Sequence, residues 1–222
     1  MPNYIYKFPR PAVTVDIVVF SIQLSKLEIL LIQRAKEPYR GKWALPGGFV
    51  GIEESLHSAA ERELEEETGL TNLHLEQLFT FGTPRRDPRG RIITVSYYSI
   101  INKGTNNKTT GASDATQASW FPIVNLPPLA FDHDEIVSYG LNKIRKDFVN
   151  VIINFNLLPE VFTLKMLQNY YEIIQDVKFE KQKFIQYIFA ADILELASTK
   201  IDSINYEDQL YKFNKIQRVI KV

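Results

Sequence analysis

One stretch constrains this 222-residue chain more than any other: residues 47–70, GGFVGIEESLHSAAERELEEETGL. Directly after Arg62 it places Glu63, Glu65, Glu66 and Glu67. Like charges at helical neighbours destabilise a helix unless something neutralises them. Yet Leu56, Ala59, Ala60, Leu64 and Glu67 follow roughly helical spacing, and they predict a helix over residues 53–68 that stops at Gly69. On such a helix Glu63, Glu66 and Glu67 fall on one side. Carboxylates gathered in this way become favourable around a hard divalent cation, which takes oxygen ligands and keeps several waters while binding substrate phosphates. Such a site suits hydrolysis of a phosphoanhydride, with the metal neutralising phosphate charge; the alternative reading of the same residues is a solvated acidic helix face.

Composition narrows the setting. Lys+Arg and Asp+Glu both total 26, so the chain is neither a strongly basic nucleic-acid binder nor an acidic tail. It has no Cys, which removes disulfides, thiolate metal sites and Cys nucleophiles. No apolar run approaches the roughly 18 residues of a membrane span, and the N-terminal residues lack a signal-peptide core. The expectation is a cytoplasmic protein with no membrane partner.

Along the chain, VTVDIVVFSI and KLEILLIQR read as neighbouring strands, the first largely buried. EPYRGKWALPGGFV reads as a loop, LHLEQLFTFG and RIITVSYYSII as strands, NKGTNNKTTGASDATQ as a polar loop and ASWFPI as a short strand. After NLPPLAFDHDE, which ends at residue 135, the texture turns helical. IVSYGLNKIRKDFVNVI, TLKMLQNYYEII and EKQKFIQYIFAADI read as three helices, the second with Leu164, Leu167, Tyr171 and Ile174 on one face. LELAST and QLYKFN follow as two strands. Three short helices and a hairpin form a winged-helix arrangement, and a boundary near residue 150 would separate domains 1–150 and 151–222.

The opening stretch resembles the Nudix hydrolases without a mismatch. Gly48, five residues, Glu54, seven residues, then Arg62, Glu63, Leu64, Glu66, Glu67, Gly69 and Leu70 reproduce their box. A pattern fixed at so many positions is far more specific than a lone glycine motif. The resemblance implies an α+β fold, a Nudix α/β/α sandwich with a mixed sheet followed by a small winged helix. It implies Mg²⁺, with Mn²⁺ as a substitute, held by Glu63, Glu66, Glu67 and the Gly47 carbonyl. Gly48, Glu54, Arg62 and Gly69 would be structural. The general base stays open among Glu63, Glu66 and a loop carboxylate such as Asp114.

GKWALPGGFV and TPRRDPRGRIITVSYY are similar to segments of the ADP-ribose-type Nudix proteins. Arg suits bidentate phosphate recognition. Arg85, Arg86, Arg89 and Arg91, with Arg34 facing the same cleft, are therefore the expected substrate-binding residues. The alternative is a solvated loop in which Asp87 ties down one Arg. Trp43 reads as a core side chain more than a base-stacking one. The substrate class implied is a nucleoside diphosphate derivative, with ADP-ribose cleaved to AMP and ribose 5-phosphate by a homodimer.

LPPLAFDHDEI with FNLLPEVFTLKMLQNYYEII resembles the Nudix subset that carries a C-terminal winged helix and includes transcriptional regulators of NAD and sugar metabolism. A ligand-responsive regulator is thus the alternative function, with Lys178, Lys181, Gln182, Lys183 and Gln186 facing DNA. Arginines expected in that helix are replaced by Gln182, Ile185 and Gln186, and residues 151–222 carry nine basic against nine acidic side chains. Duplex binding draws heavily on phosphate neutralisation. The intact box and the neutral winged helix together favour an enzyme, with the winged helix serving for dimerisation or packing. His133 is expected to fix the domain junction.

Overall fold

The computed structural model describes residues 7–8, 10–102, 115–198 and 209–214. Asp114 lies outside them. The chain divides into two compact units between Lys143 and Ile144, and the segment Ile22–Leu27 groups with the second unit.

The first unit is built on a seven-stranded sheet. Its strands are β1 (Ala12–Gln23), β2 (Lys26–Arg34), β3 (Trp43–Ala44), β4 (Gly47–Phe49), β5 (Glu76–Phe81), β6 (Ile92–Asn102) and β7 (Ala115–Pro122). The main order is β3-β2-β1-β6-β5, with β4 paired to β1 and β7 to β2. β1 is buried almost without interruption, because both of its faces are covered. Val15, Ile17 and Val19 meet Ala59, Ala60 and Leu64 of helix α1 (Leu56–Thr68). On the opposite face, Val18 and Phe20 lie beside Gly140 of helix α2 (His133–Lys146). The layers are helix, sheet, helix, as the α+β expectation required.

The box helix starts later than its periodicity suggests. Ser55 caps it, accepting a hydrogen bond from Ser58 N at 3.0 Å, so Glu53 and Glu54 stay in the preceding turn. Gly69 ends it in the left-handed conformation, φ 74°, donating its N–H to Glu65 O. The loop expected around Trp43 contains two short strands, because pairing with Gln33 and Asp16 satisfies its backbone.

The second unit holds α3 (Phe148–Asn154), α4 (Leu164–Gln175), α5 (Lys181–Ala190) and the hairpin β8 (Leu194–Ser198) with β9 (Leu210–Phe213). The helix expected across IVSYGLNKIRKDFVNVI is two helices. Asp147 leaves helical geometry at φ −101°, ψ 30°, and α3 then buries Phe148, Val151 and Ile152. Phe162 exchanges two backbone hydrogen bonds with Tyr211, adding a third strand segment to the hairpin. Leu164, Leu167 and Ile174 are buried as expected, while Tyr171 packs edge-on to Phe148 and Phe179.

Candidate ligand cleft and winged helix

The cleft begins with two glycines. Gly47 has φ 154°, and a Cβ there would sit 2.1 Å from Val15 O. At Gly48 a Cβ would fall 2.3 Å from Glu63 Oε1, so only glycine lets the Glu63 carboxylate lie against the strand. Gly47 N donates to Glu67 Oε2 at 2.9 Å, joining β4 to the last turn of α1.

Arg62 answers the charge problem of this helix. Its guanidinium donates to both carboxylate oxygens of Glu54, at 3.0 and 2.7 Å, to Glu63 at 2.7 Å, to Glu66 at 3.3 Å and to Phe49 O at 3.1 Å. The hydrogen bonds from Arg62 and from Gly51 N hold the Glu54 carboxyl down at about 2. Glu67 is 6% exposed, and burial pushes its carboxyl up to about 8 against the Gly47 hydrogen bond. The charges of Glu63 and Asp16 act in the same direction as burial. Burial also raises Glu63, with Arg62 opposing.

Gly47, Gly48, Arg62, Glu63, Glu66 and Glu67 line one cleft of about 440 Å³. Hard oxygen donors and a buried carboxylate short of positive charge suit a divalent cation in their chemistry. Glu63 and Glu66 share Arg62, whereas Glu67 is held by the Gly47 N–H. Among the described residues, no group of three or more Asp, Glu or His side chains is gathered as a metal cage.

The five candidate arginines separate. Arg34 and Arg89 line this cleft and the adjoining inner cavity of about 60 Å³. Arg34 is fixed by Pro38 O at 2.8 Å and lies 4.7 Å from the Phe131 ring. Arg89 is gripped by Asp87, with Nη2 to Oδ2 at 2.6 Å, and sits over the rings of Phe49 and Phe131. The Arg89 hydrogen bonds overcome burial and keep Asp87 ionised below its usual range. Arg86 lines the inner cavity as well. Its side chain is buried and committed to Asp132, Nε to Oδ2 at 2.8 Å, with Asp16 at 3.6 Å. Arg85 and Arg91 are exposed and outside the cleft lining, and Arg91 donates to Gly82 O. Trp43 packs edge-on to Phe121 at 4.6 Å, as a core side chain does.

Three contributors escaped the sequence reading, Asp16, Phe131 and Asp132, and His133 takes a different role from the one expected. His133 is buried within the first unit rather than fixing a junction. Its Nδ1 accepts from Leu45 N at 2.9 Å, and its Nε2 lies 3.5 Å from Asp16 Oδ1. An accepting Nδ1 places the proton of the neutral ring on Nε2, facing that carboxylate. Burial lowers the His133 pKa and keeps the ring neutral. Asp132 O accepts from Glu135 N and Ile136 N, starting α2, while its carboxylate holds Arg86. The stretch AFDHDE is thus a clamp around the strand-to-box loop. One signal was readable in advance: Asp16 is a lone carboxylate inside an apolar strand, and buried charges are paired.

In the second unit α5 buries Phe184 and Ile188 and exposes Lys181, Gln182, Lys183 and Gln186. Lys178 is paired with Glu172 at 2.6 Å and Lys183 with Glu180 at 3.0 Å. Glu172 also accepts from Gln168 Nε2 and Phe179 N, so it pins the turn that delivers α5.

Residues 10–139 match the NUDIX domain, and residues 154–213 match the NrtR DNA-binding winged helix domain. The chain belongs to the Nudix family. It is 34% identical over 208 residues to the ADPR responsive transcriptional repressor NtrR of Acinetobacter baylyi, spanning 93% of this chain and 83% of that one. It is 39% identical over 128 residues to the ADP-ribose pyrophosphatase of Methanocaldococcus jannaschii, covering 58% of this chain and 72% of that one. Among solved structures it is similar to Shewanella oneidensis NrtR complexed with a 27mer DNA. That likeness has a TM-score of 0.66 and 29% identity, over 92% of this chain and 94% of that one. In this Nudix protein no helix of the described residues is long and apolar enough to cross a membrane.

Proposed function

We propose that this chain is an ADP-ribose-responsive, DNA-binding transcriptional regulator, with the Nudix unit as sensor and the winged helix as reader. The observation that carries this reading is similarity running through both units at once to a repressor of that description. It reverses the order reached from sequence. An intact carboxylate box serves a sensor as well as an enzyme, and a match to a DNA-binding winged helix outweighs a neutral charge count. The boundary near residue 150 is retained, supported by the gap between the matched segments. In the cleft, Arg34 and Arg89 would meet the diphosphate, each already oriented before ligand arrives. The test is fluorescence anisotropy with duplex DNA from upstream of its own gene, with and without ADP-ribose. Salt-sensitive binding that weakens as ADP-ribose is added is expected. Absence of any salt-sensitive binding sinks the regulator reading.

A second reading, retained hydrolysis, is favoured by one specific observation: Glu63, Glu66, Glu67 and the glycine pair are all present around one cleft. Glu63 and Glu67 with the Gly47 carbonyl would hold Mg²⁺, and Glu66 would join or orient them. A bound divalent ion of this kind offsets phosphate charge and acidifies water. The protein's own part is positional. Arg62 restrains Glu63 and Glu66, and Gly47 N–H aims Glu67 into the cleft. Incubation with ADP-ribose and Mg²⁺ should release AMP, and Glu67→Gln should not. Equal inactivity of both proteins removes the hydrolase reading and leaves the sensor reading intact.

A further inference from the structure

The face of α5 that points outward differs chemically from a standard duplex-binding surface. Between Lys178 and Ala190 there is no Arg, and three Lys stand beside one Glu. Lys178 and Lys183 are each paired with a carboxylate. Gln182 and Gln186 are both exposed, one helical turn apart, and the inward side chains Phe184 and Ile188 fix which way they face. Neither glutamine makes a side-chain hydrogen bond to another described residue, so both amides are available to a partner.

A primary amide carries a donor and an acceptor side by side. Adenine presents the matching pair in the major groove, the N6 amino group and the N7 acceptor, whereas guanine presents two acceptors that suit Arg or Lys. We propose that this chain reads A·T base pairs through Gln182 and Gln186, and that this sets its operator apart from a guanine-reading one. The inference rests on the DNA-binding reading above. Helix geometry sharpens it. Four residues rise about 6 Å along a helix, and base pairs stack about 3.4 Å apart along one strand. The two adenines should therefore be neighbours or be separated by one base pair.

The experiment is selection of the full chain, without ADP-ribose, against a pool of randomised duplexes, followed by anisotropy on the enriched sequence. Two adenine positions at the stated spacing are expected. Gln182→Ala should flatten the preference at one and Gln186→Ala at the other, each by roughly ten-fold. Gln186→Arg should move its position from adenine toward guanine, which a merely structural residue would not do. Urea midpoints at the wild-type value will show that the variants are folded, as both side chains are exposed. Enrichment of G·C pairs at the contacted positions, or unchanged preference in both alanine variants, overturns the inference while leaving DNA binding standing. If the wild-type chain retains no duplex even at low salt, the DNA-binding reading fails and this inference falls with it.

Discussion

The Nudix cleft and helix α5 use polar side chains in opposite ways. In the cleft, charges are packed densely and partnered: Arg62 serves Glu54, Glu63 and Glu66, Arg86 serves Asp132, and Arg89 serves Asp87. On α5 the outward groups include neutral amides with no partner among the described residues. The difference separates two kinds of recognition. A small charged ligand needs groups already held in place, because orienting them on binding costs affinity. A long duplex supplies its own regular array of edges, so exposed side chains on a rigid helix are enough.

The largest expected effect tests whether pairing really holds the cleft. Arg86→Ala leaves the buried Asp16 and the half-buried Asp132 without their guanidinium, and should cost about 3–5 kcal/mol in urea unfolding. A cost below about 1 kcal/mol would break the comparison, since the network would then be decoration. Next comes the ligand arginine. Arg89→Ala removes a charge-assisted donor worth about 1.5–3 kcal/mol, so ADP-ribose affinity by calorimetry should fall roughly 10- to 100-fold. DNA affinity without ligand should stay unchanged, and a parallel loss of DNA binding would blur the two regions. The helix caps offer a matched pair at a smaller scale. Ser55→Ala and Thr163→Ala each remove a side-chain acceptor at a helix start and should cost about 1 kcal/mol. Hydrogen exchange should place the first loss in α1 and the second in α4. The smallest effect is Lys183→Ala. Its pair with Glu180 is exposed, so stability should move by less than about 1 kcal/mol. The salt slope of duplex binding should become shallower by about 0.9 if Lys183 neutralises one phosphate.

The comparison also explains what could be read early. The box was legible because its parts lie close along the chain. Helical spacing groups Glu63, Glu66 and Glu67, and Arg62 and Gly69 sit beside them. The arginines were legible only as a set. Which of Arg85, Arg86, Arg89 and Arg91 faces ligand depends on partners elsewhere. Asp132 claims Arg86 across 46 residues, and Asp87 with two aromatic rings claims Arg89. His133 was misplaced for the same reason, since Leu45 lies 88 residues away. The break at Asp147 left no mark, because the apolar spacing carries on across it.

The sequence by itself determined the strands, the carboxylate helix and the helices and hairpin of the winged helix, which follow from periodicity and turn residues acting between near neighbours. The layered fold and the structural roles of Arg62 and Glu54 came from the resemblance of the box to the Nudix hydrolases. Tertiary structure decided which arginines reach the cleft, why AFDHDE is there and which face of α5 looks outward. Each of these turns on burial and on partners distant in sequence, and burial is a property of the packed chain.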